Sequence, residues 1–211
     1  MFPPVERADE DGVLCWGGVL SPTTLRHAYC GGIFPWPHRG APLLWFAPPQ
    51  RALLFCDEFH VGSRLRRFLG RNPFEIRVDT AFGEVMRGCA APRRGESGTW
   101  INAAMLRAYG QLHEMGHAHS IEAWRDGQLV GGLYGVSFGA YFCGESMFFR
   151  ESNASKAALI WLVEHLQSRG ASWLDCQMMT PHFAQFGARE VERSEFMRLL
   201  RMALSQENGL F

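Results

Sequence analysis

A chain of 211 residues with 47% apolar and 20% charged positions has room for one large domain, or a main domain with a small appendage, and is neither disordered nor fibrous. Its 21 basic and 21 acidic residues cancel, so overall charge does not mark a nucleic-acid binder. No apolar run reaches the ~18 residues of a membrane span. Met1–Asp11 lacks the basic start and apolar core of a signal peptide, and the six cysteines form no C-x-x-C pair. A protein of the reducing cytoplasm is expected, without a membrane association.

The first 50 residues are rich in Gly, Pro and Trp. Ser21-Pro22-Thr23 suits the opening of a short helix through His27–Tyr29, because Ser caps and Pro fits a first turn. Prolines at 35, 37, 42, 48 and 49 then forbid helix and disfavour central strand. Residues 1–50 therefore read as a small turn-rich lobe packed on a main domain of residues 51–211.

In that domain Ala52–Cys56 reads as a strand and Gly62–Leu69 as a basic helix closed by Gly70. Phe74–Val78 alternates as a strand, and Thr80–Cys89 is helical. The loop Pro92–Gly98 is polar and reads as mobile. Asn102 caps a helix that runs to Met115 and stops at Gly116. Ser120–Arg125, Asp126-Gly127 and Gln128–Tyr134 form the strongest hairpin signal in the chain, and Ala140–Phe148 adds a third strand. Ser152 or Asn153 caps a mostly buried helix, Ala154–Ser168, followed by a buried strand, Trp173–Cys176, and a last helix, Ser194–Leu204. The class expected is α+β, with a mixed sheet flanked by helices.

Three features carry chemistry. Glu145, Asp175 and Gln177 lie at the ends of apolar segments that should be neighbouring strands, where an unpaired polar group costs roughly 1–3 kcal/mol. Arg64, Arg66, Arg67, Arg71 and Arg77 crowd one stretch, with Arg87, Arg93 and Arg94 beyond it. They form either a solvated helix face or a patch that contacts phosphates. Finally, His113-Glu114-Met115-Gly116-His117 is a literal H-E-x-x-H, with His119 nearby. A zinc site needs both histidines one turn apart on one helix. Gly116 ends the helix between them, so no metal is expected; the string reads instead as a histidine-rich turn that bonds to backbone.

Several strings resemble one family together. They are Ala28-Tyr29 with Gly32-Ile33-Phe34-Pro35-Trp36, Gly98-Thr99-Trp100-Ile101, and Leu112–Glu122 with its H-E-x-x-H. Leu129–Gly135, Phe142-Cys143-Gly144-Glu145-Ser146-Met147-Phe148, Asn153-Ala154-Ser155-Lys156 and Asp175-Cys176-Gln177 complete the set. From about Gly17 to Arg189 the chain resembles the bacterial leucyl/phenylalanyl-tRNA–protein transferases. The resemblance implies an N-acetyltransferase-like main domain with a small N-terminal domain. It implies transfer of leucine or phenylalanine, and methionine less well, from aminoacyl-tRNA to the N-terminal Lys or Arg of an acceptor protein, which marks that protein for N-end rule degradation. A monomer that needs no cofactor is expected. The Arg/Gln-x-x-Gly-x-Gly loop that holds coenzyme A is missing, in keeping with a tRNA ester as donor.

Residue by residue, the resemblance places Trp36, Trp100, Tyr29 and Tyr109 around the 3′-terminal adenosine. It gives the donor side chain a pocket of Leu133, Phe142, Met147, Leu159, Leu162 and Leu174. Two of these, Leu133 and Leu162, stand where Met or Phe is expected in a relative. Glu145, Asp175 and Gln177 become the catalytic group: Gln177, oriented by Asp175, positions the reactants, and Glu145 holds the cationic acceptor. Whether Asp175 is itself a base stays open. Arg64, Arg66, Arg67 and Arg71 are assigned to tRNA phosphates.

Overall fold

The structure, a computed structural model, describes residues 2–38, 40–92, 99–206 and 209–211. Arg93, Arg94 and most of the Pro92–Gly98 loop lie outside the described residues.

The N-terminal lobe holds more regular structure than its prolines suggest. After a 3-10 turn at Val5–Arg7 come β1 (Val13–Trp16), α1 (Pro22–Cys30), β2 (Phe34–Trp36) and β3 (Leu44–Phe46). Ser21 caps α1 as expected, its Oγ accepting from Thr24 N at 3.1 Å. The strands form a small antiparallel sheet of order β1-β3-β2. Pro35 is tolerated because β2 is an edge, where a missing N–H leaves no ladder bond unmade. Beside the expected helix and turns the lobe carries three strands that the sequence reading did not include, because strands of 3–4 residues are too short to show a period.

The second sheet follows the sequence expectation closely. It is built from β4 (Gln50–Phe55), β5 (Glu75–Val78), β6 (Ala118–Arg125), β7 (Gln128–Phe138), β8 (Tyr141–Phe149), β9 (Trp173–Asp175) and β10 (Arg189–Glu192). Its order is β10-β4-β9-β8-β7-β6-β5. The β6–β7 hairpin turns through Asp126 and Gly127 at φ 51° and 73°, the left-handed pair that Asp-Gly favours. All pairings are antiparallel except β8 with β9, which meet at a single register pair, Cys143 opposite Asp175.

The helices are α2 (Ser63–Leu69), α3 (Phe82–Ala90), α4 (Ala103–Glu114), α5 (Ala154–Ser168), α6 (Pro181–Ala184) and α7 (Arg193–Leu204). The short α6 and β10 escaped the sequence reading. Helix α5 is the crossover from β8 to β9 and packs closely on the sheet. A Cβ on Gly131 would lie 2.6 Å from Ala154 Cβ, so glycine is needed for that approach. Leu159, Leu162 and Leu166 of α5 are buried, each stabilising by about 1.5–3 kcal/mol. One apolar core runs from Leu25, Phe34 and Trp45 of the lobe through Leu53, Tyr134, Phe142 and Leu174 of the large sheet. The α+β class, with a mixed sheet flanked by helices, is borne out.

Helix α4 ends at Glu114, and Gly116 is left-handed at φ 73°. His117 consequently leaves the helix before completing a turn above His113. His113 Nδ1 lies 2.8 Å from Ala118 O, and His119 Nδ1 lies 2.7 Å from Asp79 Oδ2. The H-E-x-x-H string folds as a helix-to-strand turn.

Candidate active site

A β-bulge sets the centre of the site. Tyr134 pairs with Ser146 and Gly135 with Gly144, which leaves Glu145 as the extra residue of β8. Freed from the ladder, its carboxyl turns toward α1 and α4, where it is 9% exposed. Tyr29 Oη donates to its Oε1 at 2.7 Å and Tyr109 Oη to its Oε2 at 3.1 Å. The two phenols also touch each other. No cation forms an ion pair with this carboxylate among the described residues. Burial pushes the Glu145 pKa up from 4.5 to about 7, against the pull of the tyrosine hydrogen bonds. Burial and the facing carboxylate likewise push both phenols well above their ordinary range, so they act as donors.

Asp175, at the end of β9, is fully buried and paired differently. Arg51 Nε donates to its Oδ1 at 2.9 Å and Nη2 to its Oδ2 at 2.7 Å, a bidentate pair. Tyr141 Oη donates to Oδ2 at 2.7 Å, and the Gln177 backbone N–H donates to Oδ1 at 2.8 Å. Each oxygen thus accepts two hydrogen bonds. Burial alone lowers the Arg51 pKa, but the Asp175 charge more than offsets this and holds the guanidinium protonated.

Gln177 joins the two carboxylates. Its backbone is anchored at Asp175, and its Nε2 donates to Glu145 Oε1 at 2.7 Å and approaches Cys143 Sγ at 3.4 Å. The backbone is left-handed, φ 63°, a conformation that costs a residue with a Cβ about 1–2 kcal/mol. Strain of this kind persists only where surroundings impose it. Here the Asp175 contact and the bond from Ala52 N to Gln177 O at 3.2 Å do so.

The residues singled out from sequence fall into four groups. Glu145, Asp175, Gln177, Tyr29 and Tyr109 converge in one buried network. Tyr29 and Tyr109 are wholly enclosed, so their rings are no open stacking platform and their hydroxyls serve Glu145. Trp36 is half-buried, 5.4 Å from the Phe46 ring and stacked on His38 at 5.7 Å. Trp100 is half-buried just before Asn102, whose Oδ1 caps α4 by accepting from Ala104 and Met105 N–H. Leu133, Phe142, Leu159, Leu162 and Leu174 are buried core, and Met147 is half-buried opposite Leu133. Arg64, Arg66, Arg67 and Arg71 are all exposed, on or just after α2, and none makes an ion pair among the described residues.

Arg51, Tyr141 and Cys143 were missed. Arg51 carried a readable signal: one cation opening an apolar strand, Arg51-Ala52-Leu53-Leu54-Phe55, needs a buried anion. Tyr141 and Cys143 carried none, since either reads as ordinary core. Among the described residues no helix is long and apolar enough to cross a membrane.

Comparison with known proteins gives this geometry its context. Residues 53–201 match the family described as leucyl/phenylalanyl-tRNA protein transferase, and residues 18–49 match its N-terminal domain. A leucyl/phenylalanyl-tRNA–protein transferase of Nitrosospira multiformis is 52% identical over 203 residues, 95% of this chain and 88% of that one. One from Thiobacillus denitrificans is 53% identical over 197 residues, 92% and 86% of the two chains. Among solved structures, L-PGS from Bacillus licheniformis superposes with a TM-score of 0.41 at 12% identity, covering 75% of this chain and 51% of that one. With the family matched over most of the chain and relatives half identical over more than nine-tenths of its length, the chain belongs to the leucyl/phenylalanyl-tRNA–protein transferases and is an enzyme that passes an aminoacyl group from tRNA to protein.

Proposed function

We propose that this enzyme transfers leucine or phenylalanine, and methionine less well, to the N-terminal Lys or Arg of cytoplasmic proteins and so marks them for N-end rule degradation. The observation that carries the reading is the bridge from Asp175 through Gln177 to Glu145, two buried carboxylates joined by one glutamine whose strained backbone N–H meets the first and whose carboxamide meets the second. The reaction is aminolysis of an ester. The acceptor nitrogen bonds to the carbonyl carbon, the bond to the ribose oxygen breaks, and the amine's proton ends on that oxygen. Holding the reactants in line supplies roughly 7–11 kcal/mol of such a barrier, so no strong base is needed.

In this reading Gln177 positions the reactants. Asp175 acts through it and not as a base, because both of its oxygens are already occupied by donors. Glu145 has a pKa of about 7, so its carboxylate is accessible near neutral pH to meet the cationic acceptor. Trp36 and Trp100, half-buried at the margin of the core, are suited to stack on the terminal adenosine. Tyr29 and Tyr109 contribute by fixing Glu145. The donor side chain is assigned to the apolar region of Leu133, Phe142, Met147, Leu159, Leu162 and Leu174, which offers a hydroxyl or charge no partner. The α2 arginines are assigned to tRNA phosphates.

The test is incubation with charged tRNA and a peptide beginning with Lys, read by mass. A gain of one leucine or phenylalanine is expected, and none with acetyl-coenzyme A. An unchanged peptide, or equal use of valine and leucine, overturns the assignment.

A further inference from the structure

Arg51 has no place in the chemistry proposed above, yet it is among the largest fully buried side chains, at 1% exposure. Keeping an ion pair in a core is costly, and a well-packed apolar pair of similar volume is often as stable or more so. Stability alone therefore gives a poor account of why a guanidinium stands here.

The surroundings restrict it on every side. Its Nε and Nη2 form a two-pronged bond to Asp175 at 2.9 and 2.7 Å. Phe34 of β2 and Phe196 of α7 each bring a ring centroid within 4.6 Å of its central carbon. Nη1 points to Gly32 O at 3.4 Å. A planar fork stacked in this way fixes the plane of the carboxylate it grips, which a lysine ammonium cannot do. That plane matters because Oδ1, the oxygen bonded to Arg51 Nε, also accepts the Gln177 N–H that anchors its left-handed backbone. Phe34 is also two residues before Trp36 on β2. One side chain thus touches the strand that carries Trp36 and the carboxylate that sets Gln177.

We propose that Arg51 is a positioning residue for aminoacyl transfer: through Asp175 it fixes the carboxamide of Gln177, and through Gly32 and Phe34 it ties that carboxamide to the lobe bearing Trp36. The proposal rests on the assignment of Gln177 given above.

The experiment combines kinetics with amide exchange at two neighbouring sites. In Arg51→Lys, kcat should fall about a hundredfold, the scale of a 1 Å misplacement, with the KM for charged tRNA and for the Lys-initiated peptide little changed. Guanidinium ion added to Arg51→Ala should restore part of kcat. The Gln177 amide should exchange faster in Arg51→Lys, while the Cys176 amide, bonded to Ala52 O at 2.9 Å, stays protected. Wild-type kcat in Arg51→Lys overturns the proposal. So does loss of protection at both amides together with a lower Tm, since Arg51 would then be part of the fold alone. If the wild type transfers nothing, the assignment of function fails, whereas the exchange at Gln177 still reports whether Arg51 sets its backbone.

Discussion

Two carboxylates separated by one carboxamide have been given opposite electrostatic settings. Asp175 lies where β4, β9 and α7 meet and is paired with a cation. Glu145 lies on the bulge of β8 under α1 and α4, with phenols for partners and a proton that leaves at about pH 7. Depth does not separate them, since both are buried. The partner does: a guanidinium compensates charge, whereas a phenol only offers a hydrogen bond. Two carboxylates in one site can thus be given different settings, one ion-paired and one only hydrogen-bonded, by the choice of neighbours.

The sharpest way to break this contrast is to remove one charge. Asp175→Ala leaves Arg51 buried without its anion and should cost about 3–5 kcal/mol in urea unfolding. Replacing both partners, Arg51→Met with Asp175→Leu, should recover most of that stability without recovering transfer. Equal stability of the single and double variants would mean that the pair is not a unit.

Glu145 should show the opposite behaviour, as a dependence on pH. Its folded pKa of about 7 stands above the ordinary 4.5, so the folded chain binds this proton more tightly than the unfolded one. Its contribution is complete below pH 4.5 and is lost as pH rises through 7, a change of about 3 kcal/mol. Glu145→Gln should flatten the fall in unfolding free energy between pH 5 and pH 8. A wild type whose stability is level across that range, or a variant as steep as the wild type, counts against the raised pKa.

At the bridge itself, Gln177→Ala should lower kcat about a hundredfold while leaving the far-ultraviolet circular dichroism unchanged. Gln177→Gly should be the more stable of the two variants, because glycine adopts φ 63° without strain. Wild-type kcat in both would remove the carboxamide from the mechanism.

The smallest effect is expected away from the network, on α2. Charge reversal at Arg66 and Arg67 should weaken binding of full-length charged tRNA more than of an aminoacyl-adenosine analogue. The salt dependence should drop by about 0.7–0.9 in slope for each phosphate that is no longer neutralised. An unchanged slope makes this helix an ordinary solvated face.

What the sequence disclosed follows from the range of each signal. The β6–β7 hairpin and α5 were legible because Asp126-Gly127 and a long apolar helix are local patterns. So was the placing of Glu145, Asp175 and Gln177 together, since they are polar in apolar surroundings. Their partners were not legible. Arg51 is 124 positions from Asp175, and Tyr29 is 116 from Glu145, so only the folded sheet brings them together. The lobe's strands failed for a different reason: three residues flanked by proline show no period, and tertiary packing alone makes them strands.

Glu145 is, in the grammar of the sheet, a letter inserted into a word already complete. Strand β8 alternates regularly up to Gly144 and resumes in step at Ser146, opposite Tyr134, so its neighbours keep their sides with or without the residue between them. Most single deletions inside a central strand reverse every side chain beyond the cut. Excising Glu145 should instead let the ladder close in step, so that the sheet keeps its sidedness, while the Tyr29 and Tyr109 hydroxyls lose their acceptor and transfer is abolished.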